Sequence, residues 1–233
     1  MIGAGAAAGE VMAAAGGTAR GAGQRIWDLP LRLCHWALVA AVTGSFASHY
    51  AGGSAFRWHV RCGWLTLGLV LFRLAWAFAG TRYARFAEFV QRPAAPASAG
   101  HTRLGGWMAL ALLALLGAQA AAGLFANDDL LDSGPLSALA GRALSDRLST
   151  WHVAISKLLW FLLPLHVAAA IYYRVVRRDD RVRALVTGDK RGLAPGTGIE
   201  REHRARALAI AALIAAALAA LAVLAPPPLE LDD

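Results

Sequence analysis

The chain has 233 residues, 58% of them hydrophobic and only 16% charged, with a formal net charge of +8. Soluble domains hold about 45–50% apolar and about 25% charged residues, so this composition excludes an ordinary soluble protein and indicates an integral membrane protein. The positive balance does not point to nucleic acid, because in a membrane protein its meaning depends on where the charges lie.

Residues 1–24 are mostly Ala and Gly and lack the basic start, Leu-rich stretch and cleavage site of a signal peptide, so we predict a disordered leader. Five apolar runs follow, each near the roughly 20 residues that a helix needs to cross about 30 Å of hydrocarbon. Together they predict an all-α integral membrane helical bundle. The predicted spans are residues 32–50, 56–79, 105–126, 149–173 and 205–225.

The loops predict how the bundle is oriented, because Lys and Arg are retained on the cytoplasmic side of a bilayer. The loop between the second and third spans and the loop between the fourth and fifth spans are both rich in Arg. The loop between the third and fourth spans and the tail after Pro228 are acidic. We therefore expect the N-terminus to be cytoplasmic and the C-terminus to be periplasmic.

Four histidines inside the predicted spans are the leading functional candidates, because an ionisable residue is costly in a bilayer. His152 and His166 are 14 residues apart on the fourth helix, so their rings lie about 40° apart around it and about 21 Å apart along it. Successive helices run in opposite directions, which puts His35 at the depth of His166 and His59 at the depth of His152. The pattern predicts two histidine pairs, one near each membrane surface.

Two imidazoles at one depth favour a flat macrocycle held between two helices. Haem b is bound by axial histidines without covalent attachment, and the sequence has no CxxCH motif for covalent haem. Zinc would need three or four ligands at one depth. With imidazole on both faces, the iron has no open position for a substrate and can only pass electrons. The histidines therefore predict two bis-histidine haem b groups that form an electron path across the membrane.

His49 leaves one alternative open. It follows His35 by 14 residues, so the first helix could supply two ligands by itself, with His49 in place of His59. The residues after His49 are Tyr-Ala-Gly-Gly, which predicts a frayed helix end and a weaker platform for a ligand. We favour His59 on that ground.

Arg73 is the leading candidate among the charged residues of the spans. It follows His59 by 14 residues, so it lies on a similar face of the second helix but at the depth of the cytoplasmic haem. There an anionic haem propionate could neutralise it. The alternative is that its long side chain reaches the nearby membrane interface.

The sequence contains seven blocks in the order RIWDLPLRLCHW, WHVRCGWLTLGLVLFRLAWAFAG, TRYARFAEFV, GHTRLGGWMALALL, GPL, WHVAISKLLWFLLPLHV and LVTGDKR. These blocks resemble the bacterial cytochrome b561 family, which includes the b-type cytochrome subunit of nickel-iron hydrogenase. The similarity covers roughly residues 25–191. The sequence departs from the family pattern at Arg61 and Cys62, where apolar or aromatic residues are more usual, and it adds the leader and the fifth helix.

The resemblance implies a four-helix di-haem cytochrome b domain over residues 25–191. Residues 192–233 then form a linker, a fifth transmembrane helix and an acidic tail. The family's ligand positions match His35 and His166 for the cytoplasmic-side haem and match His59 and His152 for the periplasmic-side haem. The family's recurrent arginine in the second helix matches Arg73. The chain is thus expected to be a multi-pass protein of the bacterial cytoplasmic (inner) membrane, surrounded by lipid.

The leading functional hypothesis is electron transfer between the quinone pool and a partner redox protein, such as a c-type cytochrome or a hydrogenase-like subunit. The chain would then be an electron-transfer subunit with a quinone as a further ligand, or a quinone/quinol oxidoreductase in its own right. The alternative is a small transporter or assembly factor with a histidine proton relay. Such a protein should have spans that are polar or broken by Gly or Pro. Here Pro164 is the only proline within a predicted span. No nucleic-acid partner is expected.

Overall fold

The computed structural model describes residues 23–90, 100, 102–127, 133–179 and 181–225. Most of the predicted disordered leader and of the acidic C-terminal tail lies outside these residues. Gln24, which the sequence assigned to the leader, is among the described residues and lies in a short strand.

Five long helices dominate the structure. They are α1 (Leu29–Ala51), α2 (Phe56–Ala79), α4 (Arg103–Phe125), α6 (Arg142–Val175) and α8 (Arg204–Leu224). Three short helices join them, namely α3 (Ala87–Val90), α5 (Ser137–Ala140) and α7 (Arg181–Thr187). Single 3₁₀ turns lie at Gly53–Ala55 and Arg82–Ala84. Strand β1 (Gln24–Arg25) pairs antiparallel with β2 (Asp189–Lys190).

The all-α membrane bundle that the sequence predicts is confirmed, since all five long helices are long and apolar enough to cross a bilayer. Their bounds agree with the predicted spans within a few residues except in α6. This helix begins at Arg142, about two turns before the predicted start. The extra turns carry Arg142, Asp146 and Arg147, so an apolar window could not include them. They are nevertheless helical, and the buried Ser145 hydroxyl donates to the Phe125 carbonyl at the end of α4.

The helices pack in chain order, with α1 on α2, α2 on α4 and α4 on α6. Helix α8 packs on α2 and also touches α1. At mid-height of the bundle, a buried apolar cluster joins α2, α4 and α6; its members are Val70, Leu112, Leu113, Leu116 and Leu159. Pro164 lies inside α6, and the helix continues through it.

One end of the bundle, here called the ladder end, carries the paired strands β1 and β2. Arg25 forms ion pairs with Asp189 at 3.1 Å and with Glu202 at 2.9 Å. Burial would raise the pKa of Glu202, but hydrogen bonds from Arg204 and Arg25 outweigh burial and hold this pKa below its usual value. The Ile199 amide also donates to the Arg25 carbonyl at 2.7 Å. These contacts hold the segment before α8 against the start of the helical core.

Asp28, also at the ladder end, is fully buried and caps the N-terminus of α1. Its Oδ1 accepts from the Leu31 amide at 2.7 Å, and both carboxylate oxygens accept from Trp76 Nε1 at 3.1 Å. The Thr81 hydroxyl, just beyond α2, donates to the same carboxylate. Asp28 thus fixes the start of α1 against the end of α2, which sets the relative depth of these two helices.

We expect Asp28→Ala to lower the free energy of unfolding by about 2–4 kcal/mol, because it removes an N-cap and leaves two buried donors without their acceptor. Denaturant unfolding of the detergent-solubilised protein, followed by circular dichroism, measures this change. Asp146→Ala is the matched control, since Asp146 is exposed and its loss should change stability by about 0.5 kcal/mol or less. Equal effects of the two substitutions would contradict the structural role of Asp28.

Candidate functional site

The four histidines of the spans lie at two levels of the bundle. Near the end opposite the ladder end, the ring centroids of His59 on α2 and His152 on α6 are 6.0 Å apart, with ring planes at 78°. Nearer the ladder end, His35 lies on α1 and His166 on α6, both half-buried. The structure therefore brings together His59 and His152, while the pairing of His35 with His166 and the role of all four as haem ligands stay predictions.

Backbone carbonyls hold one nitrogen of each imidazole in the His59–His152 pair. His59 Nδ1 lies 2.9 Å from the Ser45 carbonyl oxygen, and His152 Nδ1 lies 2.9 Å from the Gln119 carbonyl oxygen. A carbonyl only accepts, so each Nδ1 carries the proton and each Nε2 carries the lone pair. At His152 the side-chain amide nitrogen of Gln119 lies 3.0 Å from Nε2, as a donor to that lone pair would. Both rings are thus in the tautomer that ligates a metal through Nε2.

The distance between these two rings suits one metal ion held from both sides. Metal–imidazole bonds are about 2 Å long, so two rings on one ion have centroids about 6 Å apart. The measured 6.0 Å matches this separation. Among the described residues, no group of three or more His, Cys, Asp or Glu side chains could hold a metal ion. The donors at this level are imidazoles, those of His59 and His152 with His49 beside them, and two imidazoles fit the axial ligation of haem.

His49 lies beside the same pair, with its ring centroid 5.6 Å from that of His59. Its side chain is exposed near the C-terminus of α1, whereas His59 is half-buried. His59 is held by Ser45 and stacks on Phe56 with ring centroids 5.5 Å apart. His59 is therefore the better-fixed imidazole, although His49 lies close enough to stay the alternative.

Arg73 is buried on α2 with 7% of its surface exposed, which argues against the alternative that it reaches the membrane interface. Its Cζ lies 4.9 Å from the ring centroid of Phe86, and it interacts electrostatically with His35 and Asp28. Within the described residues its Nη1 has no hydrogen-bond partner. A buried guanidinium with an unsatisfied N–H donor is stabilised by a nearby anion that accepts from it. A haem propionate beside His35 would be such an anion.

Sequence reasoning missed three residues of this site, namely Ser45, Gln119 and Gly123. Gln119 had a signal, because it is the only polar side chain in the apolar run of α4 from Met108 to Phe125. Its Oε1 is buried and has no hydrogen-bond partner among the described residues. Gly123 had no signal. A Cβ there would lie 2.7 Å from His152 Cε1, so the missing side chain leaves room for the imidazole.

An apolar layer separates the two histidine levels. Leu159, which is 1% exposed, lies midway between His152 and His166 in α6 and belongs to the mid-height cluster. Long aromatic side chains join α1 to α6 near this layer. Trp160 Nε1 donates to the Tyr50 hydroxyl at 2.9 Å, and the ring centroids of Phe46 and Trp160 are 5.3 Å apart.

Fold and site together define a membrane-embedded helical protein with paired imidazoles at two levels, the arrangement of a b-type cytochrome. A comparison with protein families matches residues 26–188 to prokaryotic cytochrome b561. This match covers more than half of the chain and includes all four paired histidines, whereas α8 lies beyond it. Neither a search of curated proteins nor a search of solved structures finds a match. The chain belongs to the prokaryotic cytochrome b561 family, whose role is electron transfer in a membrane through haem b.

We expect Gly123→Ala to lower the ratio of haem to protein, because the new methyl group would collide with the His152 ring and displace it. The haem-to-protein ratio and the reduced-minus-oxidised visible spectrum measure the effect. Ala121→Leu on the same helix is the control, since Ala121 is exposed and added bulk there does not face His152. A Gly123→Ala protein with normal haem content and spectrum would show that the place of His152 against α4 does not matter for haem binding.

Proposed function

We propose that this protein passes electrons across the bacterial inner membrane through two haem b groups, between the quinone pool and a partner redox protein. The observation that carries the proposal is the His59–His152 pair, with its 6.0 Å separation and its two Nδ1 atoms held by carbonyls. Each haem, when bound, would supply one-electron transfer without an open coordination position for a substrate.

His59 and His152 would hold one haem near the end of the bundle opposite the ladder end. The carbonyls of Ser45 and Gln119 orient these two rings and fix the ligating nitrogen. Such outer hydrogen bonds also raise the basicity of a histidine ligand. Ser45 lies on α1 and Gln119 on α4, whereas the two histidines lie on α2 and α6. Four helices therefore set the position of the two rings.

His35 and His166 would hold the second haem nearer the ladder end. The directions of the two helices support the pairing, because α1 begins and α6 ends at the ladder end, with His35 near the start of one and His166 towards the end of the other. Arg73 would bind a propionate of this haem with its unsatisfied Nη1. A buried positive charge beside the site would also favour the reduced, less positive state of the iron.

We propose that the ladder end faces the cytoplasm, because the Arg-rich segment from Arg174 to Arg183 lies there. The quinone and the redox partner would then meet the bundle from the membrane and from the periplasm. Helix α6 supports this, since it carries one member of each proposed ligand pair and exposes large apolar side chains, among them Trp151 and Phe161. A c-type cytochrome or a hydrogenase-like subunit is the proposed class of partner. In either case the chain would act as an electron-transfer subunit or as a quinone/quinol oxidoreductase.

The test is the haem content of the purified protein and of its single histidine variants. We expect a low-spin b-type reduced-minus-oxidised spectrum and about two haems per chain. His59→Ala and His152→Ala should each lose the same haem, and His35→Ala and His166→Ala should each lose the other. His49→Ala is the matched control and should keep both haems. Loss of haem in His49→Ala but not in His59→Ala would establish the alternative ligand, and wild-type protein without haem would end the proposal.

We expect Arg73→Gln to lower the midpoint potential of the haem at the ladder end, because a lost positive charge stabilises oxidised iron by on the order of 1–2 kcal/mol at the effective dielectric of a protein. Potentiometric titration of the visible spectrum measures the shift. Arg61→Gln on the same helix is the control, because Arg61 is exposed and lies over the Trp58 ring. Equal shifts in both variants, or none in either, would contradict the role of Arg73.

A further inference from the structure

An apolar cavity of about 690 Å³ lies between α1, α2 and α8. Its size falls within the roughly 300–1,000 Å³ of ordinary ligand pockets. Leu33 and Cys34 line it from α1, Leu69 and Phe72 from α2, and Ala211 and Leu218 from α8. The wall formed by α8 lies beyond the segment that matches the family. The cavity is therefore created where the added helix meets the cytochrome core.

The cavity extends along the bundle from the membrane interface to beyond mid-bilayer. Its lining on α8 runs from Arg204 to Leu218, which is about 21 Å along the helix, while half of a bilayer core is about 15 Å. At the deep end, a Cβ on Gly68 would lie 3.2 Å from Leu218 Cδ1, so α2 and α8 approach closely there. The cavity is thus a slot that starts at the membrane interface and narrows at the level of Gly68 and Leu218.

Arg204 is the charged residue of the lining, and it lies at the interface end of the slot. Its side chain is 64% exposed and pairs with Glu202, but a guanidinium has five N–H donors and can bind a second oxyanion. It is also the first residue of α8, where the helix dipole is positive. This end of the slot therefore suits a phosphate group.

The rest of the lining suits a hydrocarbon chain better than a quinone head. A quinone ring needs hydrogen-bond donors for its carbonyls. Beyond Arg204, the side-chain donors in the lining are the Cys34 thiol, which already faces the Leu69 carbonyl oxygen at 3.4 Å, and the Trp64 indole N–H, and the other lining side chains are apolar. One flexible acyl chain matches the apolar lining.

We propose that this slot binds one acyl chain of an anionic phospholipid, with the lipid phosphate at Arg204. The bound lipid would fill the gap between α8 and the core and would hold α8 in place. The proposal does not depend on the haem ligands, since the slot lies between α1, α2 and α8 and not at the seam between α1 and α6.

The test uses the full-length haem-loaded protein, purified in a mild detergent and analysed by native mass spectrometry. Wild-type protein should retain one phospholipid per chain. Ala211→Phe fills the slot and should reduce the retained lipid at least about tenfold. Ala212→Phe is the matched control, because Ala212 is exposed on α8 and does not line the cavity; it should retain the lipid. Both variants should keep the wild-type visible spectrum, and Ala215→Phe serves as a second filling variant if Ala211→Phe fails to fold.

The headgroup is tested by offering nanodiscs with equal amounts of anionic and zwitterionic phospholipid. Arg204→Gln should abolish the preference for the anionic lipid, whereas Arg201→Gln, a substitution of an exposed arginine outside the cavity, should keep it. The proposal is overturned if the wild type retains no phospholipid, if both filling variants retain as much as Ala212→Phe, or if the retained molecule is a quinone. An unchanged preference in Arg204→Gln would overturn the assignment of the phosphate to that residue.

Discussion

An imidazole in the hydrocarbon of a membrane needs a partner for each of its two nitrogens, and this need organises the site. At His59 and His152 a backbone carbonyl accepts from Nδ1. A carbonyl oxygen has two lone pairs, so it can accept a hydrogen bond from the histidine while it keeps its own hydrogen bond within the helix. Nε2 is then the nitrogen through which each ring would bind a haem iron, and at His152 it lies 3.0 Å from the Gln119 side-chain amide. Polar satisfaction in the bilayer thus produces the orientation that a haem requires.

The two ends of the bundle meet the same need in different ways. The end opposite the ladder end uses neutral contacts, from Ser45 and Gln119 to the imidazoles. The ladder end buries charge, with Asp28 held by Trp76 and Thr81 and with Arg73 close enough to interact with it electrostatically. Two haems in these surroundings would feel different electrostatic fields. The two histidine levels therefore differ in their electrostatic surroundings, although the same residue type lies at both.

Much of the fold could be predicted from the sequence, because each membrane-spanning helix corresponds to one long run of apolar residues. The pairing by depth could also be predicted, since it needs only the alternating direction of helices and the 14-residue spacing in α6. The hydrogen bonds of Asp28 could not, because they join residues about 50 positions apart. Gly123 could not either, since only the position of His152 shows why a side chain is missing there. The ligand roles, the haem number and the orientation stay predictions.

The place of α8 bears on where a redox partner would bind. Helix α8 covers α1 and α2, and the segment before it is tied to β1 by Arg25. Helix α6, by contrast, packs mainly on α4 and keeps Phe161 and Val167 exposed to the bilayer. The bundle is therefore asymmetric, because α8 covers α1 and α2 while α6, which carries His152 and His166, keeps an exposed apolar face.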